Sequence, residues 1–391
     1  MDRSVGRSLG VALVAAALMA GCGGGGSPSP LPGSTSPREP SAAPSSSARP
    51  SASSDPAAAL VDAGPYAVGV RTLELPGPTA ADRAVRIRVF YPAITESDQP
   101  AEDAPPDSAG APYPVVLGDS DLGPYLAAHL ASHGLAYVEG VGQRTWGAGH
   151  PTASMVDYPL DLMAALDGLS GLGDDPLAAV LETDRAGVVG YSFGAWTALV
   201  LAGARVDPDH YRATCADRPD GWSDNWWGYV CGSPAGWEAF VARGIEAGVA
   251  TETGLWLPFG DERIRAVVSM MPEGYDLVGQ AGIASATAAA LFLAGSADVD
   301  NDYDPATLAL AAHYPAGRAA TVTFVGGDHS LIFTEDGAAQ IRRLTTLFLA
   351  AHLRDDPAMA EVIDERWVTD VAPTFEDHPS YETLVWGVIE P

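Results

Sequence analysis

A serine between two glycines, in Gly190-Tyr-Ser-Phe-Gly194, is the side chain in this sequence best placed to act as a nucleophile. G-x-S-x-G is the pattern of a sharp strand-to-helix turn that lifts a serine oxygen clear of a sheet for acyl transfer. The pattern recurs easily by chance in a chain with 43 glycines among 391 residues, so its flanks must decide. Val188 and Val189 are β-branched and apolar, as in a buried parallel strand, and 195–204 is rich in Ala and Leu, as in a helix laid on a sheet. Gly190 and Gly194 leave room for the turn. The competing reading is a plain buried serine at a strand-to-helix junction.

A serine hydroxyl needs a base within hydrogen-bond reach and a carboxylate to orient that base. Downstream of Ser192, His329 stands out because Gly326-Gly-Asp-His-Ser330 follows a strand-like run and leads into a helical one. His313 and His352 lie within helical patterns, and His378 lies in an irregular tail. For the acid, Ala290-Leu-Phe-Leu-Ala-Gly-Ser-Ala-Asp298 puts Asp298 just past a buried strand. Asp300, Asp302 and Asp304 follow in alternation. A calcium loop would want glycine at 303 and glutamate at 309, where this chain has Tyr303 and Ala309, so no metal is expected. Asp328 reads as a solvated loop carboxylate. The oxyanion donors expected are the backbone N–H groups of Phe193 and of Asp121, the latter in Gly118-Asp-Ser-Asp-Leu-Gly123.

These residues need a frame. Residues 66–75 and 84–91 read as an antiparallel pair around a Pro-Gly-Pro turn. Short buried-strand candidates follow at 115–117, 135–139, 186–191, 264–270, 290–294 and 321–325. Helical stretches at 125–132, 155–169, 196–204, 306–313 and 338–352 separate most of them. The alternation implies an α/β fold, a mainly parallel sheet with helices on both faces, which binds ligands at the carboxyl ends of its strands. Residues 205–261 break the rhythm with two cysteines and five tryptophans, and read as an insertion over the site. Its aromatic side chains suit an acyl-group pocket or the interior of a small cap equally well.

The first residues carry Arg3 and Arg7, an apolar run over 9–18, and Met19-Ala-Gly-Cys22. This is a secretory signal of lipoprotein type over 1–21, with Cys22 as the lipidated first mature residue; an ordinary cleaved signal is the alternative. Residues 22–60 are Gly, Ser, Pro and Ala with little that could form a core, and read as a disordered tether. The remainder, 61–391, suits one large domain. With Cys22 assigned, Cys215 and Cys231 remain as an even pair in an exported protein, which argues for a disulfide. It closes a loop over 216–230 with neither helical nor strand periodicity. Arg and Lys total 21 against 50 for Asp and Glu, a net charge of −29, which disfavours nucleic acid as a partner. The expected location is extracytoplasmic, on a membrane through the lipid: the outer membrane in a Gram-negative cell, favoured by Gly23 after Cys22, or the cell surface in a Gram-positive one.

Together, Gly190-Tyr-Ser-Phe-Gly194, Arg88-Val-Phe-Tyr-Pro-Ala93, Leu130-Ala-Ser-His-Gly134, Gly295-Ser-Ala-Asp298 and Gly327-Asp-His329 resemble, in collinear order over 65–354, bacterial α/β-hydrolases of the platelet-activating-factor acetylhydrolase and dienelactone-hydrolase-like group. The resemblance implies an α/β-hydrolase fold and a serine esterase that takes a small-molecule or lipid ester without a cofactor. It also implies a cysteine-containing insertion after the nucleophile helix. Two departures stand out. The group has a His-Gly pair in its oxyanion loop where this chain has Asp119-Ser120. Some relatives place the acid near a Leu-Asp-Pro after the sixth strand, where this chain reads Met270-Met-Pro272, leaving Glu273 in reserve behind Asp298. The altered loop also admits a degenerate hydrolase that serves as an envelope binding protein without catalysis.

Overall fold

Apolar runs such as Val115-Val-Leu117 and Ala266-Val-Val268 are fully buried only in a sheet covered on both faces. The computed structural model describes residues 60, 62–78, 84–141, 150–251, 253–354, 380–381 and 383–388. Strands β1 (Ala67–Leu75) and β2 (Val85–Ala93) form the expected antiparallel pair, and the two-residue β3 (Ala101–Glu102) lies outside β1. Next come β4 (Tyr113–Gly118), a π-helical turn Gly123–Ala127 that runs into α1 (Ala128–Ser132), β5 (Ala136–Gly140), α2 (Ser154–Ser170), β6 (Leu181–Tyr191) and α3 (Phe193–Leu201). The insertion holds α4 (Pro208–Ala216), α5 (Asp224–Cys231) and α6 (Pro234–Glu246). Then follow β7 (Ile264–Met270), α7 (Tyr275–Ile283), β8 (Ala289–Gly295), a π-helical turn Asp304–Leu308 into α8 (Ala309–His313), β9 (Ala319–Val325), α9 (Glu335–Leu353) and β10 (Thr383–Val388).

The strand order is β10-β9-β8-β7-β6-β4-β5-β2-β1-β3. From β5 through β4, β6, β7 and β8 to β9 every pairing is parallel, while β2 against β5 and β10 against β9 are antiparallel. Side chains alternate across this sheet into two cores. Val115, Leu117 and Val267 join α2, α3 and the insertion on one face; Val116, Ala266 and Val268 join α1 and α9 on the other. The sheet is therefore mostly parallel with helices on both faces.

The stretch 216–230, which has no periodicity in the sequence, is helical over α5. Its helices begin at capping side chains: Asp207 accepts from Asp209 and His210 N–H, Ser223 from Trp226 N–H and Ser233 from Gly236 N–H. Each cap satisfies a helix-end donor that burial alone would leave unpaired. The disulfide joins Cys215 in α4 to Cys231 in α5. Trp222, Trp226 and Trp256 are buried, Tyr211 stacks on Trp237, and Phe240 stacks on Trp256. These aromatics build the interior of the insertion. The signal, Cys22, the tether up to residue 59 and His378 lie outside the described residues.

Candidate active site

Four loops at the carboxyl edge of the sheet bring the candidate residues together. At the end of β6 the backbone turns through Ser192 with φ 52° and ψ −118°, and α3 starts at Phe193. Ser192 N–H donates to Met270 O of β7 at 2.9 Å, so the strained residue is held by the next strand. A Cβ at position 190 would lie 2.0 Å from the Gly194 carbonyl oxygen, and one at position 194 would lie 1.9 Å from Asp119 Oδ2. At 190 the clash is with backbone and only glycine fits, while at 194 it is with the Asp119 side chain, which would have to shift.

His329 follows β9 and Asp298 follows β8. His329 Nε2 lies 2.9 Å from Ser192 Oγ, and Nδ1 lies 2.8 Å from Asp298 Oδ2. A carboxylate only accepts, so Nδ1 carries the proton and Nε2 is left to accept from the serine hydroxyl. The other oxygen, Asp298 Oδ1, accepts from Asp300 and Asn301 N–H at 3.0 Å each. The Asn301 amide in turn donates to Met271 O. Tyr191 OH donates to His329 O at 2.6 Å, and its ring lies 5.1 Å from the imidazole. Burial by itself lowers the imidazole pKa, but the Asp298 hydrogen bond and charge, with Asp300 and Glu273 behind them, outweigh it and hold His329 above its ordinary value.

Asp119 is 1% exposed, directly after β4. Its Oδ1 accepts from Asp121 and Leu122 N–H at 3.0 Å, and Oδ2 from Tyr191 N–H at 3.2 Å. The carboxylate thus staples the 119–122 turn to the strand that leads into Ser192. The Asp121 N–H expected to serve an oxyanion is directed into its own turn. Phe193 stands at the start of α3, where the helix dipole favours negative charge. Asp328 is exposed and accepts from Ser330 N–H, and Asp302 accepts from Ser223 N–H of the insertion at 2.8 Å.

A second polar cluster lies nearby. Wholly buried His150 places Nε2 2.8 Å from Asp276 Oδ2, and Tyr229 OH donates to Glu273 Oε2 at 3.3 Å. His150 precedes Ser192 in the chain, and its partner Asp276 opens a helix with two glycines, so neither carries a recognisable motif. Among the described residues no group of three or more His, Cys, Asp or Glu is arranged to hold a metal ion. No protein-family model matches this chain, and no curated protein matches it.

Proposed function

We propose that this chain is a serine hydrolase of the α/β-hydrolase fold that cleaves carboxylic esters through an acyl-enzyme. The observation that carries the reading is the unbroken hydrogen-bond line Ser192–His329–Asp298. Its supports are the strand order, the positive-φ turn at Ser192 and the chain order serine, acid, histidine, with one residue after each of β6, β8 and β9.

In this mechanism Ser192 Oγ attacks the ester carbonyl carbon while its proton passes to His329 Nε2, and Asp298 stabilises the imidazolium that forms. Collapse of the tetrahedral intermediate breaks the carbonyl–alkoxy bond, and the imidazolium returns its proton to the departing alcohol. Water then repeats the sequence on the acyl-enzyme and releases the acid. Phe193 N–H supplies one oxyanion donor at the start of α3. A second donor from the backbone of Asp121 would require that N–H to leave Asp119 Oδ1, to which it is bonded at 3.0 Å. No cofactor enters. The substrate is a small-molecule or lipid ester, met outside the cytoplasm by an enzyme that Cys22 anchors to a membrane. Such a protein would resemble the platelet-activating-factor acetylhydrolase and dienelactone-hydrolase-like group.

The test is labelling of the full chain, purified in detergent, with a fluorophosphonate probe beside Ser192→Ala and His329→Ala. Labelling is expected in the parent alone, with hydrolysis of p-nitrophenyl acetate lost by a factor of about 10⁴ or more in folded Ser192→Ala. A folded parent that takes no label would instead support an envelope binding protein.

A further inference from the structure

At the amino-terminal edge of the parallel strands, the edge opposite Ser192, the outgoing and returning legs of the insertion meet. A Cβ at Gly260 would lie 2.3 Å from Leu201 O, so the two legs touch backbone to backbone. Trp256 N–H donates to Val206 O at 2.9 Å, and the Arg205 guanidinium donates from Nε to Trp256 O and from Nη2 to Leu255 O, the latter at 2.9 Å. Beside this junction lies a hollow of about 610 Å³. The two legs form one wall. The first residues of β7, the residue before β8 and Arg318, which directly precedes β9, form the other.

Five charged side chains line the hollow: Arg205, Arg265 and Arg318, with Asp261 and Glu262. Asp261 already has its own cation, since Arg263 Nε lies 3.0 Å from Oδ1 and Nη2 lies 2.7 Å from Oδ2. Three arginines therefore stand against Glu262, a local excess of positive charge in a chain of net charge −29. They come from three segments far apart in sequence. A guanidinium has five N–H donors, and these three have most of theirs to spare. Arg205 commits Nε and Nη2 to the two carbonyls of the insertion, and Arg318 donates from Nη1 to Thr287 O at 2.6 Å. Arg265 makes no hydrogen bond or ion pair among the described residues. Arg265 and Arg318 also line a second hollow of about 750 Å³, which no carboxylate lines.

We propose that the first hollow is a binding site for a small doubly charged oxyanion, a phosphate or a dicarboxylate, held by Arg265 and Arg318 with Arg205 at the junction of the legs. Planar guanidinium forks match oxyanions two oxygens at a time, which a lysine cannot do. The repulsion of the distant carboxylates does not forbid this, because salt at physiological strength screens exposed charges beyond about 8 Å and leaves the local excess in control. An ion bound here joins Arg205, which braces the two legs, to Arg265 and Arg318 at the starts of β7 and β9, and so fastens the foot of the insertion to the sheet. None of Ser192, His329 and Asp298 takes part, so the site stands independently of the hydrolase reading.

The experiment is isothermal titration calorimetry of the full chain, purified in detergent, with inorganic phosphate and with malonate. Binding of at least one with a Kd of about 1 mM or tighter is expected. The tighter of the two names the chemistry, phosphoryl or dicarboxylate. Arg265→Gln and Arg318→Gln are each expected to weaken binding about tenfold or more, the scale of a lost charge-assisted hydrogen bond, while Arg265→Lys keeps part of the affinity with the charge. Both arginines are exposed, so the variants keep the fold, which circular dichroism melts check. Hydrogen exchange locates the ion: binding slows amide exchange in both legs, over 201–206 and 255–265, and leaves the rest of the chain unchanged. Failure of phosphate and malonate alike to bind the folded parent overturns the proposal. So does binding that is equally tight in both glutamine variants, or binding that leaves exchange in the two legs unaltered.

Discussion

At the scale of single residues, the two glycines of the pentapeptide have different neighbours and so different expected failures. A methyl group on Gly190 meets backbone, the Gly194 carbonyl oxygen, which cannot move without unwinding the first turn of α3. A methyl group on Gly194 meets the carboxylate of Asp119, a side chain whose displacement disturbs its bonds to Tyr191, Asp121 and Leu122 N–H but leaves the α3 backbone in place. Gly190→Ala should therefore lose the cooperative fold. Gly194→Ala should keep it, with kcat for p-nitrophenyl acetate down by about a hundredfold as the oxyanion turn shifts. Circular dichroism melts beside steady-state rates separate the two, and equal melting temperatures would contradict the assignment of Asp119 as the staple. The same contrast shows what a sequence can reveal of this site. Ser192, Asp298 and His329 each end a recognisable strand-plus-glycine pattern, so local spacing points to them. Glu273 could be read only as an acid in reserve after Met270-Met-Pro272, while Asp119 and His150 make contacts with distant segments, as in the His150–Asp276 pair 126 residues apart, that no local pattern records. The backbone of Asp121 shows the limit in the other direction, since its position in the turn is legible but the direction of its N–H is set by a neighbouring carboxylate.

At the scale of elements, the parallel strands were legible because both-face burial writes uninterrupted apolar runs, and 264–270 coincides with β7. Helices α5 and α7 were not. Gly279 sits in α7 with φ 54°, a poor helix former inside a helix, and α5 mixes Gly, Asp and Asn with aromatics that serve the cap's interior rather than one stripe. Tertiary ties hold α5: the disulfide to α4, Tyr211 OH to Val230 O, Ser223 N–H to Asp302 and Tyr229 OH to Glu273. Of these only the disulfide restrains the unfolded chain as well, by about 3 kcal/mol for a loop of this length. Replacing both cysteines by serine should lower the melting temperature by several degrees and raise KM for esters more than it lowers kcat, because α5 carries none of the reacting atoms. An unchanged melt would mean that aromatic packing alone fixes the cap.

At the scale of the whole molecule, charge dominates: all 21 basic residues are arginine, and 50 carboxylates leave a net charge of −29. Acid relieves that repulsion, yet acid is where the fold should weaken. His129, His133, His210 and His352 are all depressed by burial, with His129 lowered to about 3 and its Nε2 buried without a partner. The fold keeps these imidazoles neutral while the unfolded chain takes up protons near its ordinary value of about 6.5. Their contribution to stability is complete above that value and is lost as pH falls from about 6.5 towards 3. His329 and His150 run the other way, because their values are raised in the fold; their contribution is full below about 6.5 and is lost as pH rises through the folded values. Among the histidines the two slopes oppose, four groups acting on the acid side and two on the alkaline side, while the raised Glu139 and Glu273 carboxyls offset part of the acid slope. His129→Phe fills the same site without a titrating group. In scanning calorimetry it should flatten the fall in melting temperature between pH 6 and 4 while leaving the alkaline side untouched. A parent and variant with parallel acid slopes would show that His129 is not the group that takes up the proton on unfolding.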